Sequence, residues 1–279
     1  MSNSERTLPD FESPPVIEVA LGVQFDPPLA LTSAHLGRIW EIYQRRFPKT
    51  QDQPPLPSVI ETPDAKVSPG PSVQFVGVPP LPRCWFLNEA ETELIQIQKD
   101  RFVRNWRKVQ VGDVYPRYEQ IRDGFRDDLD ALVAFASRER LGEVRPTQCE
   151  ATYVNHIRAG AVWQSHSEVQ RVVALWRGNP KPGAGFLPEP EDVRFAVRYV
   201  ITEDSGQFLG RLNVDLQPGF LTSDQSPILV LTLTARGRPD GSGLQGVLNF
   251  LNRGREWIVR GFTEITTEAT QQQEWKRTK

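Results

Sequence analysis

A chain of 279 residues that is 38% hydrophobic and 24% charged has a globular composition and enough length to bury a core without disulfide staples. Its net charge of −2 excludes a global attraction to nucleic acid or to an anionic membrane. Two cysteines, Cys84 and Cys149, and three histidines, His35, His156 and His166, make neither a disulfide framework nor a metal-ligand spacing, so no cofactor is expected.

The start, "MSNSERTLPDFESPP", lacks the basic and apolar regions of a signal peptide, and residues 1–14 read as a disordered N-terminus. The apolar run "PILVLTLTA" is about half of the ~20 residues that span a bilayer. A cytoplasmic protein with no membrane partner is the expectation.

"PVIEVALGVQF" alternates, with Ile17, Val19, Leu21, Val23 and Phe25 on one face and Glu18, Gly22 and Gln24 on the other, which predicts a strand. "LTSAHLGRIWEIYQRRFP" predicts a helix capped at Thr32 or Ser33, with Leu36, Ile39, Trp40, Tyr43 and Phe47 on one side and Pro48 as its stop. A proline-rich connection, residues 53–72, follows. Strands are then predicted at Val73–Val78, at Cys84–Leu87 and from Leu94 into Trp106, the last with a turn at Lys99–Asp100. A helix from about residue 115 carries Tyr118, Ile121, Phe125, Leu129, Leu132 and Phe135 as an apolar stripe, with Gly142 as its stop.

The second half repeats this order. "TQCEATYVNHI" reads as a strand and "HSEVQRVVALWRG" as a short helix. A second proline-rich connection, residues 179–192, leads to "DVRFAVRYVITE" and "QFLGRLNVDLQ", two strands joined at "DSG". "ILVLTLTA" is a third and more apolar strand, and "LQGVLNFLNRGREWIVRGFTEI" a closing helix. The fold class expected is α+β: two β-α-β-β-β-α halves, residues 15–143 and 144–266, forming mostly antiparallel sheet covered by helices, with a polar C-terminal tail at 267–279. Two local matches suggest duplication: Glu18 aligns with Glu150 (150 − 18 = 132), and Gly124 with Gly261 inside Ile-x-x-Gly-Phe (261 − 124 = 137).

From residue 14 onward the chain resembles a sporadically distributed family of uncharacterised bacterial proteins of about 250 residues. The residues that carry the resemblance are "PPVIEVALGVQF", "IQIQKDRFVRNWRK", "YPRYEQIRDGF", "CEATYVNHI" and "EWIVRGFTEITTE". The resemblance implies no particular activity, cofactor or catalytic residue. The family's patchy distribution suggests exchanged accessory genes.

Candidate chemistry is sparse. "GSGLQG", Gly241–Gly246, fits G-x-G-x-x-G, but no second parallel strand with its acidic residue follows, so it reads as a glycine-rich loop entering a helix with Ser242 as N-cap. Residues 99–108 carry five basic residues against Asp100 (5 − 1 = +4) with Phe102 and Trp106 interleaved, as in a single-strand stacking platform. Alternation places Arg101, Val103, Asn105 and Arg107 on one face and Phe102, Arg104 and Trp106 on the other. The aromatics therefore point to the core, and Glu89, Glu91 and Glu93 are placed to neutralise the patch. Polar Tyr153 and Asn155 in mid-strand need partners or a pocket. Glu18 and Glu150 would be paired carboxylates if a twofold brought them together. No G-x-S-x-G, Walker A, H-E-x-x-H or EF-hand motif occurs.

These residues lead to the expectation of a binding protein that engages another protein, or a second copy of itself, over a polar sheet face. Its contacts would be Glu18, Gln98, Asn105, Arg107, Glu150, Tyr153 and Asn155. The alternative is an enzyme or binder acting on a phosphorylated or nucleic-acid ligand at the junction of the halves; an anionic ligand suits Arg107, whereas nucleic acid is the less favoured partner.

Overall fold

A computed structural model of the chain describes residues 7–64, 80–178 and 185–279. Among these residues nine strands form one sheet: β1 (Val16–Phe25), β2 (Lys49–Gln53), β3 (Arg83–Leu87), β4 (Glu93–Gln98), β5 (Arg101–Arg107), β6 (Pro146–Arg158), β7 (Phe195–Thr202), β8 (Phe208–Phe220) and β9 (Pro227–Gly237). Their order is β2-β3-β4-β5-β1-β6-β9-β8-β7, and every neighbouring pair is antiparallel. The helices are α1 (Ser33–Tyr43), α2 (Tyr118–Arg138), α3 (Gly243–Ile265) and α4 (Glu268–Gln273). The class is α+β, and the two sequence halves meet edge to edge at β1 and β6.

Alternation sets the layers. Val19, Leu21 and Val23 of β1, Phe102 and Trp106 of β5, and Leu229, Leu231 and Leu233 of β9 are buried against the helices. They meet Phe125, Leu129 and Leu132 of α2 and Val247, Phe250 and Leu251 of α3. α2 lies on β5 and β1, and α3 on β6 and β9. Phe102 and Trp106 are therefore core residues, with no ring surface for a stacked base.

Four local readings change. Lys49–Gln53 has no apolar period yet forms β2, paired to β3 through backbone and the edge strand among the described residues; its polar, Lys-bearing character suits an edge. Helix α1 stops at Tyr43, one turn before Pro48. His166–Arg171 is a 3-10 turn rather than a helix, because Val172 and Val173 leave it to pair with the end of α3, where Thr267 N–H donates to Val172 O at 2.8 Å. The expected tail holds α4, and Trp275 is buried against Phe262 and Phe11, so residues 11 and 275 close the core instead of fraying. The expected strand Val73–Val78 lies outside the described residues.

"GSGLQG" is a packing device. A Cβ on Gly246 would sit 2.3 Å from Gly241 O, so glycine lets the loop fold onto the first turn of α3. With β9 antiparallel to both neighbours, the parallel β-α-β frame of a dinucleotide site is missing around it.

Both cysteines lie under the helix layer. Burial pushes the Cys149 thiol up; burial, aided by Asp52, whose Oδ1 accepts from Cys84 Sγ at 3.2 Å, pushes the Cys84 thiol up to about 12. Neither is expected to react with iodoacetamide in the native protein at about pH 8, and both react once urea unfolds it. Mass spectrometry of the labelled protein checks this. Because both folded values lie above the unfolded ~8.5, the thiols stabilise the fold below that pH, and their contribution fades as pH rises past it. The urea midpoint is expected to fall between about pH 8 and pH 10.

Candidate functional site

The side of the sheet away from the helices carries the polar half of each alternating strand. Glu18 and Gln24 of β1, Arg101, Asn105 and Arg107 of β5, Gln96 and Gln98 of β4 and Gln148 and Glu150 of β6 all lie there, as the cross-strand register requires. Yet Gln24, Gln96, Gln98, Asn105 and Gln148 are buried.

Part of that burial comes from residues 54–63 of the same chain, which cross this face as a strap. Gln98 Oε1 accepts from Leu56 N–H at 2.8 Å while its Nε2 donates to Leu56 O at 2.9 Å. Gln24 repeats the grip on Val59, accepting its N–H at 3.1 Å and donating to its carbonyl at 2.7 Å. Gln148 Oε1 accepts from Glu61 N–H at 3.0 Å. Arg211 of β8 then donates to Glu61 Oε2 at 2.7 Å and to the Thr62 and Pro63 carbonyls at 2.8 and 2.9 Å. The half-buried residues Gln53, Leu56 and Val59 recur every third position, the period of a polyproline helix, as the prolines at 54, 55 and 57 favour.

Beside the strap is a pocket of about 130 Å³. Ala20, Gly22, Val103, Gln96, Asn105, Glu150 and Thr152 line it. A relay runs along one side. Arg83 Nη1 and Trp85 Nε1 donate to Gln96 Oε1, Gln96 Nε2 donates to Asn105 Oδ1, and Asn105 Nδ2 donates to Glu18 Oε1.

The expected contacts divide between the two faces. Glu18, Gln98, Asn105, Arg107 and Glu150 share the open face. Tyr153 and Asn155 lie on the helix face, since odd-numbered residues of β6 are opposite Leu231 and Leu233 of the core strand β9. Tyr153 OH pairs with Tyr115 OH at 3.3 Å, and Asn155 Nδ2 donates to Leu231 O at 3.0 Å. With Tyr118 and Arg255 they line a separate cavity of about 90 Å³. Burial first, then its partner Tyr115, raises the Tyr153 phenol well above its ordinary value. Glu18 and Glu150 do not meet. Counted along β6 from Val154, the residue opposite Glu18, Glu150 is four residues away, ~13 Å at strand rise. Glu150 is instead bound by Arg236 Nη2 at 2.6 Å.

Two residues of the basic stretch, Arg104 and Arg107, are paired with the acids named for them, Glu93 and Glu91. Arg104 sits on the helix face between Glu93 and Asp128. Arg107 Nε donates to Glu91 O at 2.8 Å, and its guanidinium lies over the Trp85 ring with Glu91 at 3.6 Å, so it does not present a free fork. His156 has its pKa lowered by burial and by Arg158, and among the described residues no hydrogen bond joins it to a carboxylate. Among those residues no group of three or more His, Cys, Asp or Glu side chains is placed to hold a metal ion, and no helix is long and apolar enough to cross a membrane.

Gln24, Gln96, Gln148, Arg83, Arg101, Arg211 and Glu61 were not among the expected contacts, although alternation placed Gln24 and Arg101 on polar strand faces. For the glutamines the one further signal was their recurrence on such faces. No protein-family model matches the chain, and no curated protein matches it.

Proposed function

We propose that this chain is a protein-binding module that lays an extended, proline-containing polypeptide across the open face of its sheet, beside the strap. The double grip of Gln98 on Leu56 and Gln24 on Val59 carries this reading. A side-chain amide that binds both N–H and C=O of one residue recognises backbone regardless of side chain. The spacing fits as well: three residues of polyproline helix advance ~9.3 Å and two strand intervals measure ~9.6 Å, which is how Leu56 meets β4 and Val59 meets β1, before Glu61 meets β6 one strand further on. Next to the strap, Thr152, Thr234 and Asn213 stand in one half-buried row across β6, β9 and β8 and offer a partner polar side-chain contacts.

The same reading takes the two halves as copies of one unit. Two features support it. In each half the first strand pairs with the last and the others follow outward, and Glu18 opposes Arg107 across β1–β5 as Glu150 opposes Arg236 across β6–β9.

Panning a random peptide library against the full chain tests the function. Proline-containing peptides are expected to be enriched and to lose about tenfold in affinity when Asn213 and Thr234 are both changed to alanine, two hydrogen bonds of ~0.5–1.5 kcal/mol being lost. Arg126→Ala, on the outer side of α2, leaves binding unchanged. Failure to enrich any peptide, or full binding by the Asn213/Thr234 variant, would remove the reading.

A further inference from the structure

Three arginines of the open face are each matched to a carboxylate. Arg107 meets Glu91, Arg211 meets Glu61, and Arg236 meets Glu150. Arg83 and Arg101 differ. Among the described residues neither has a carboxylate in ion-pair contact, and the Nε–H of each is buried without an acceptor. Both side chains line the 130 Å³ pocket beside the strap. Their other contacts are neutral and hold them in place. Arg83 Nη1 donates to Gln96 Oε1 at 2.6 Å and its guanidinium lies over the Trp85 ring; Arg101 Nη2 donates to Gln24 Oε1 at 2.6 Å and to Pro57 O at 2.8 Å.

A buried donor left unpaired is destabilising, and two on like-charged groups in one pocket more so. Burial, and for Arg83 the nearby charge of Arg101, hold both guanidinium groups below the ordinary arginine value. The nearby acids are otherwise engaged: Glu150 by Arg236 and Thr152, and Asp100 by Gln98 Nε2 at 2.7 Å. The pocket far exceeds the ~10–15 Å³ that one water needs.

We propose that Arg83 and Arg101 form a carboxylate-binding site, filled by an acidic side chain of the polypeptide that lies beside the strap. The chain already shows this mode once, where Glu61 of the strap lies between Arg211 and Arg236. Glu150 on the pocket wall favours a singly charged carboxylate over a doubly charged phosphate. The chemistry of the site stands on the two arginines alone; the source of the carboxylate rests on the function proposed above.

Arginine Nε–H resonances of the full chain report the site directly, with Arg83→Lys and Arg101→Lys assigning the two signals. On titration with N-acetylglutamate methylamide both signals are expected to move and saturate, while the glutamine analogue moves neither. Arg83→Lys keeps the charge but loses the planar fork, and weakens binding roughly tenfold with the melting curve unchanged. Glu150→Gln tightens it. Static signals, equal movement with the glutamine analogue, or tighter binding of inorganic phosphate would overturn the site, and leave the sheet-face reading to the panning experiment. A peptide copying residues 54–63 separates the sources. If it binds these arginines more tightly than the single residue and its Glu61→Gln version does not, the carboxylate comes from polypeptide. If it binds no more tightly, the polypeptide source is overturned.

Discussion

Asp128→Ala is expected to destabilise the protein by about 3–5 kcal/mol, read as a fall in unfolding free energy from urea denaturation. Asp128 points from α2 into the core and is fully buried. Its two carboxylate oxygens accept from Arg46 and from Arg104 of β5, and its carbonyl accepts from Tyr43 OH at 2.7 Å. Arg104 fits beneath the helix only because residue 124 is glycine, where a Cβ would come within 2.6 Å of its guanidinium carbon. Its side chain is 9% exposed, and its other acidic partner, Glu93, lies at the rim. Without Asp128 a buried cation loses its main counter-charge, and no rearrangement brings water to it without lifting α2 from β5. Asp128→Asn keeps the shape and part of the hydrogen bonding and falls between the two. A loss below about 1 kcal/mol for the alanine variant would mean that Arg104 finds solvent, against the packing described.

The second large effect belongs to the strap. Glu61→Ala removes the carboxylate that Arg211 binds, in a pair whose side chains are 7% and 9% exposed. Arg211 keeps the Thr62 and Pro63 carbonyls, so the fold survives, but the strap loses a charge-assisted anchor worth about 1.5–3 kcal/mol. Local opening then becomes more frequent, and cleavage within residues 54–63 by a nonspecific protease is expected to quicken roughly ten- to hundredfold. Cleavage at the wild-type rate would mean that the strap is held elsewhere.

The strands that sequence reading located are those whose two sides face different surroundings. β1, β6 and β9 alternate because one side meets helices, and the stripe of α2 repeats because it meets the sheet. β2 was invisible for the opposite reason: KTQDQ carries no apolar side chain to bury, and backbone pairing makes it a strand. The site was harder to read because its parts come together through register. Alternation separates Tyr153 from Thr152 within β6, but whether Tyr153 shares a side with Asn105 depends on the pairing of β6 through β1 to β5, which no local pattern contains. The proline-rich segment read as a plain connection. Its anchors Gln24, Gln98 and Gln148 are far apart in the chain and resemble any solvent-facing glutamine until the strap crosses them.

Central to the account is that side-chain amides on the open face hold an extended backbone, and the amide hydrogens of Leu56, Val59 and Glu61 measure this residue by residue. They are expected to exchange slowly in the native protein. Gln98→Ala should release Leu56 first and Gln24→Ala should release Val59 first, while the amides of β1 and β6 stay protected. Exchange of all three at the rate of an unstructured chain in the unmodified protein, with the sheet intact, would contradict it.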